Sequence, residues 1–422
     1  MKYFFIFLIL LSSNIYSNSN DEVIPVGKAT VEKTYLNFNL EKCSCENIFK
    51  IVMDDINLYK KFFAIEKDEA ASTIKVIIAR TQKEEESITE GYSLEIFKKD
   101  ATEPLYKNFI ALKDGVSNRW VGHEIAGSIF NAITKKDHIF HSKITFVSDK
   151  DIDGKKTKFK QIYISDFDGY NVKQVTKVNG HLLSPAVSND GKLLTYSLIS
   201  PSSKEGNVQL RIVDLQTGTD SVLSDLSGIN SGAVFLPGDK SLVLTLSHSG
   251  NAELYRLDLD TRKITPITNH WAADVDPSVS REGDKLVFLS SRPGRPMIYA
   301  MSLSGVEKSV RRISFVGDFN ATPRFSPLGE DIVFSSWLDN KFDLFKISFD
   351  GKNLYRLTKD FGSNEDPSFS PDGELIAFTS QRVYGEKDEV KLLYIMDKDG
   401  EVLRKLDNLK GKCQSPRWHK SM

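Results

Sequence analysis

Three short stretches carry residue types that could do chemistry. His123-Glu124 opens like a helical zinc motif, in which two histidines four residues apart present their imidazoles on one helix face. Gly127 stands where the second histidine would be, so the stretch has no two-imidazole face, and His123 is expected to be structural or solvent-facing. DKDIDG, residues 149–154, imitates the start of a calcium loop, but Lys160 holds the twelfth position where such loops need a bidentate Glu. A polar hairpin turn is expected there. Cys43 and Cys45 are one residue apart, too close to bridge without strain and too few to hold a metal. With Cys413 they read as ordinary thiols, the alternative being a small redox or bridging role. The chain has no G-x-S-x-G elbow and no phosphate-cradling glycine loop, and no metal or cofactor is expected.

The composition sets what must position such residues. At 422 residues, 40% hydrophobic and 27% charged, the chain can build two or three domains with substantial cores. A formal net charge of −1 supplies no field to hold a polyanion, so nucleic acid is not an expected partner. Residues 1–20, MKYFFIFLILLSSNIYSNSN, join an early Lys2 to an apolar run from Phe4 to Leu11 and then small polar residues. The run is too short to span a bilayer, and it reads as a secretory signal with cleavage near Ser13 or Ser17. The mature protein is expected to be exported and soluble.

An internal repeat decides the fold class. DPSFSPDGELIAFTS at Asp366 has copies at Ser184 (SPAVSNDGKLLTYS), Ser231 (SGAVFLPGDKSLVLTLS), Asp276 (DPSVSREGDKLVFLSS) and Thr322 (TPRFSPLGEDIVFSS), with starts 44 to 49 residues apart through the last copy at Ser415. That is the period of a four-stranded propeller blade. In each copy a short strand such as Pro367 to Ser370 meets a turn, where Asp372 caps and Gly373 accepts a positive φ. An apolar strand follows, with Leu375, Ile376, Ala377 and Phe378 expected between blades. The final copy, SPRWHK, stops after one strand, while KITFVSD, QIYISDFDGYN and VKQVT before Ser184 lack that strand. Pairing the two ends gives six blades and leaves no open sheet edge. The expected fold is therefore an α+β N-terminal domain, residues 21–140, followed by an all-β six-bladed propeller, residues 141–422, closed by its C-terminal strand. In the small domain CENIFKIVMDDINLYKKFF and NRWVGHEIAGSIFNAIT read as helices, and KTYLNFNL, TIKVIIAR, YSLEIFKKD and PLYKNFIAL as strands. The acidic run Glu84 to Glu86 reads as a solvated loop.

The run RWVGHEIAGSIFNAITKKDHIFHSKITFVSD from Arg119, then QIYISDFDGYNVKQVT and LLSPAVSNDGK, resembles the helix, crossing and first blade of the TolB family in order. SRPGRPMIYAMSLSG from Ser291 resembles a later hairpin of that family. The resemblance implies a periplasmic binding role without catalysis. It implies capture of a Pal-like peptidoglycan-associated lipoprotein at the channel mouth and engagement of a TolA-like protein by the N-terminal segment. It also implies support of outer-membrane integrity and of invagination during division. Two features depart from the family: the stretch NDEVIPVGKATVEKTYLNFN ahead of the first helix is short, and Gly228-Ile229-Asn230 stands where a histidine is common.

The segments entering each innermost strand, GHLLSP, GINSGA, HWAADVDP, GDFNATP, GSNEDP and GKCQSP, should converge at one mouth. The candidate contacts there are His181, Leu182, Asn230, His270, Trp271, Ala272, Asn320, Thr322, Asn364 and Gln414. Trp271 leads them, since an aromatic side chain in a polar loop anchors a partner at small entropic cost; the competing reading is packing against a neighbouring loop. Asp276 and Asp366, each before a proline, are expected to accept backbone donors within the ring. An exported enzyme or small-ligand binder using the channel, with Asp276, Glu365, Asp366 and His270 converging, is the alternative, and a general scaffold is a third reading.

Overall fold

A computed structural model describes residues 33–41, 46–68, 72–84, 88–201, 207–329, 331–384 and 388–421. Residues 1–20, read as a secretory signal, Cys43, Cys45 and residues 85 and 86 of the acidic run lie outside the described residues. Strands β1 (Thr34–Glu41), β2 (Phe63–Ile65), β3 (Ile74–Glu84), β4 (Ile88–Lys98) and β5 (Tyr106–Ala111) form one sheet in the order β2-β1-β3-β4-β5. Helices α1 (Glu46–Ile56) and α2 (Asn118–Thr134) bury Val52, Ile56, Val121, Ile125 and Ile129 in one core with Leu36, Val76 and Leu94. The Ser117 hydroxyl caps α2 by accepting the Trp120 N–H at 3.1 Å. The first helix is shorter than the sequence pattern suggests. It gives way to a 3-10 turn at Asn57–Tyr59, and the aromatic stretch after it joins the sheet as β2, parallel to β1.

Six four-stranded sheets follow, and five are built from consecutive strands. The sixth pairs Gln414–His419 with Lys143–Lys150, so the ends of the ring meet in one blade. Second strands such as Ser241–Leu246 are buried along their whole length, because each lies mid-blade with a neighbouring blade on either face. In the last blade the repeated turn is held by its Asp and Gly. The Asp372 carboxylate accepts the Ser370 hydroxyl at 2.5 Å and the Glu374 N–H at 3.2 Å, while Gly373 takes φ 73°. A Cβ on Gly373 would sit 2.8 Å from the Leu328 side chain, so positive φ and close packing both require glycine. Ser188, Asp190 and Gly191 repeat the arrangement. DKDIDG forms a hairpin turn, with the Lys155 N–H on the Asp151 carboxylate at 2.7 Å.

The turns of two blades also hold the small domain. Tyr59 donates to Asp372 at 2.5 Å, Lys60 pairs with Glu401 at 2.7 Å, and Arg404 donates to the Asp54 carbonyl at 2.7 Å. Lys61 pairs with Asp399, and Arg119 with Asp168. His123 is buried as a structural residue, with Nδ1 2.6 Å from Asp55 and Nε2 3.6 Å from Asp168. It thereby connects both helices to a propeller turn. Burial raises the Asp55 pKa against the lowering effect of its imidazole partner. One hydrophobic core runs from Val52 and Phe130 through Phe140 and Phe167 to Leu375, Leu406 and Trp418.

Cys413 precedes the closing strand and is buried, and that burial pushes its thiol up to about 12. The thiolate is the reactive form. Iodoacetamide at about pH 8 is expected to leave Cys413 unmodified in the native protein and to alkylate it after guanidinium unfolding, as read by peptide mass mapping. Native-state alkylation at Cys413 would show that the closing strand opens locally.

Candidate functional site

The polarity of the strands defines two faces of the ring. Every innermost strand begins at one face and ends at the first turn of its blade on the other. All of the small domain's polar contacts with the propeller described above fall on or beside turns of that second face, at Asp168, Asp372, Asp399, Glu401 and Arg404. The face where the innermost strands begin is the one those contacts leave open.

The innermost strands start earlier than the prolines suggest, at His181, Asn230, Asp274, Phe319, Ser363 and Gln414. Many residues read as entry loops are therefore strand residues, whereas His270, Trp271 and Ala272 precede the strand that starts at Asp274. A bulge lets the strand continue across the proline: Ser184, Asp276, Thr322, Asp366 and Ser415 take φ of 48–53°, and Gly232 takes 61°. The register against the second strand shifts around these positions. Two residues before each bulge stand Leu182, Asn230, Asp274, Asn320, Asn364 and Cys413, all buried. One residue before it stand Leu183, Ser231, Val275, Ala321, Glu365 and Gln414, all at least partly exposed.

Five of the ten candidate contacts are buried, four of them through this alternation. Asn230 donates to the Leu226 carbonyl at 2.6 Å and accepts the Ser224 hydroxyl at 2.6 Å. Asn320 bridges the Val316 carbonyl and Ser336, and Asn364 reaches Thr358 at 3.1 Å. These buried amides fasten each entry segment mainly to the end of the blade before it, Asn320 also reaching Ser336 of its own blade, and they are not side chains that a partner touches. Leu182 and Ala272 are buried as well. Asp274 holds the equivalent place in its blade, paired with Arg292 at 2.8 Å, and burial raises its pKa despite that partner.

The remaining candidates are at the surface. His181 is exposed and meets Phe159 edge-on at 5.3 Å. Thr322 and Gln414 are partly exposed, with the Gln414 side-chain carbonyl taking Lys160 at 2.5 Å. His270 is half-buried beneath Trp271, their rings 5.3 Å apart. Trp271 is 77% exposed, which removes packing against a neighbouring loop as its role. Three further apolar side chains share this face and were not among the candidates: Leu183 at 42%, Phe315 at 56% and Trp337 at 37% exposure. Leu183 directly follows the candidate Leu182, and only the bulge parity distinguishes the two.

Both channel acids ahead of prolines have internal partners. Asp276 accepts Arg324 at 3.1 Å and Asp366 accepts the Ser415 hydroxyl at 3.0 Å, so these acids use side-chain donors instead of the expected backbone ones. Arg417 lies near both acids and near Arg324, and burial with the neighbouring guanidinium lowers its pKa. Glu365 faces Lys391 at 3.8 Å, and His270 Nδ1 accepts the Ala272 N–H at 3.1 Å. The four residues of the enzyme reading thus each hold a structural partner. Among the described residues the group able to hold a metal is elsewhere, at Glu124, His138 and His141 beside α2.

A family model described as the TolB beta propeller domain matches residues 130–422. The Tol-Pal system protein TolB of Francisella tularensis subsp. holarctica (strain OSU18) is 26% identical over 442 residues, spanning 98% of this chain and 97% of that protein. The protein of the same name from Francisella tularensis subsp. tularensis (strain SCHU S4 / Schu 4) is 26% identical, spanning 98% of this chain and 96% of its own. Among solved structures, TolB from Acinetobacter baumannii superposes with a TM-score of 0.75 at 23% identity, covering 93% of this chain and 98% of that one. That likeness is one of fold, and it extends across the small domain as well as the ring.

Proposed function

The chain belongs to the TolB β-propeller family, propeller components of the Tol-Pal system, and on that premise we propose that it binds a Pal-like peptidoglycan-associated lipoprotein at the open mouth of its ring. The observation that carries this reading is the apolar set Leu183, Trp271, Phe315 and Trp337 on the face opposite the small domain's contacts. Exposed aromatic side chains around polar strand ends have the composition of a protein-binding hot spot. Such an interface acts by binding, without catalysis. The N-terminal segment, residues 20–39, engages a TolA-like protein in this reading, and the two attachments together support outer-membrane integrity and invagination at division. The periplasm is the corresponding compartment. No helix among the described residues is long and apolar enough to cross a membrane.

The test is isothermal titration of the purified protein with the soluble domain of the Pal-like lipoprotein from the same organism. Saturable one-to-one binding is expected. Absence of heat and of co-elution, with a native circular dichroism spectrum, would overturn the reading.

A further inference from the structure

We propose that Glu124, His138 and His141 form a site for a borderline divalent transition metal, Zn²⁺ being the best match, which clips α2 to the segment leading into the propeller. One ligand atom from each residue lies within 4.8 Å of the others, and His141 Nε2 is 2.8 Å from the Glu124 carboxylate. A tetrahedral Zn²⁺ with ligands at about 2.0–2.1 Å holds its ligand atoms about 3.4 Å apart, so modest side-chain rotations suffice. Two imidazoles and one carboxylate, with a fourth position for water, form a donor set that zinc accepts. The three residues are half-buried, so an ion has a route in and a partly dry site to occupy.

The backbone is shaped for this arrangement. Glu124 and Gly127 are one turn apart on α2, and the face of the His138 imidazole lies on Gly127. A Cβ at residue 127 would be 2.5–2.6 Å from three ring atoms of His138. Glycine here is a poorer helix former than alanine, and it opens the space that brings the second imidazole to Glu124. His138 Nδ1 accepts the Phe140 N–H at 3.3 Å. Ligation through Nε2 moves the proton to Nδ1 and gives up that long bond. Trp120 stacks on His141 at 5.4 Å and provides a reporter.

The consequence of the site is mechanical. His138 and His141 lie between α2 and the strand Lys143–Lys150 that enters the closing blade. An ion joining them to Glu124 would fix the corner already held by Arg119, His123 and Asp168.

Full-length, tag-free protein stripped with chelator is titrated with Co²⁺ and with Zn²⁺. One equivalent of Co²⁺ is expected to give ligand-field absorption of tetrahedral strength, and Zn²⁺ should displace it. Cu²⁺ should quench Trp120 fluorescence, a signal lost in Trp120→Phe. His138→Ala and His141→Ala should each weaken Zn²⁺ binding at least tenfold, and Gly127→Ala should do the same by displacing His138. No Co²⁺ absorption and no stoichiometric Zn²⁺ uptake by the wild type would overturn the proposal without recourse to any variant. Unchanged Zn²⁺ affinity in a folded His138→Ala/His141→Ala double variant would overturn it equally.

Discussion

Trp418→Ala is expected to lower unfolding stability by about 3–5 kcal/mol, the range for removing a large aromatic from a packed core. The expectation rests on three contacts of one side chain and its backbone. The indole is buried, donates from Nε1 to Ser142 at 2.8 Å and stacks near Phe167 at 6.5 Å, and the backbone N–H of Trp418 donates to Ser368 at 2.9 Å. Those partners belong to the strand entry of the first blade, its outer turn, and the innermost strand of the last blade. Losing the indole removes the Ser142 and Phe167 contacts that seat the closing strand beside Ile144, while the backbone bond to Ser368 remains. The core that Trp418 helps to fill continues into the small domain, so both parts should lose stability in one transition. Urea unfolding followed by circular dichroism reads this as a lower midpoint. The control is Trp271→Ala, which removes an exposed indole and should change stability by no more than about 0.5 kcal/mol. Equal midpoints for wild type and Trp418→Ala would mean that the closing strand carries little of the ring's stability.

The ring itself was legible because its signals are local and repeated. Asp372 and Gly373 do the same work as Asp190 and Gly191, and a truncated last copy matched the one blade that lacked its first strand. The mouth was less legible because side-chain direction depends on parity, and a bulge shifts parity by one residue. Asn364 and Glu365 are neighbours in the strand, yet the first is buried and the second partly exposed. Nothing in their residue types reports which way the bulge turns them, and a polar Asn ahead of a proline invites a loop reading. Trp271 escaped the error because it lies in the connection ahead of the strand Asp274–Val279, outside the bulged ladder. The sequence leaves His123 structural or solvent-facing, because its partners Asp55 and Asp168 are 68 and 45 residues away, beyond any local pattern. The cluster at Glu124 had a usable signal, two histidines three residues apart shortly after an acid-bearing helix. It was missed because the zinc template demands both imidazoles on the helix.

Trp271→Ala is expected to weaken binding of the Pal-like lipoprotein by about 1–3 kcal/mol, roughly 5- to 150-fold in Kd. Exposure alone would not justify that magnitude, since a mobile indole loses entropy on binding that offsets its contacts. The Trp271 loop is held in place from below. Asn251 donates to the carbonyls of His270 and Ala272 at 2.8 and 3.0 Å, and the His270 N–H donates to Glu253 at 2.7 Å. Glu253 is buried and also takes the Thr268 hydroxyl at 2.6 Å. Both residues flanking the indole are thus fastened before a partner arrives. Most of the loss should appear as faster dissociation, because the mutation removes a short-range contact and leaves the charge unchanged. Leu183→Ala, on another blade of the same mouth, should weaken binding as well, by a smaller factor set by its lesser area. Leu328→Ala is the matched control, 57% exposed on a turn of the opposite face. If Leu328→Ala lowers affinity while Trp271→Ala and Leu183→Ala do not, the partner sits on the small-domain side of the ring and the assignment of the open mouth fails.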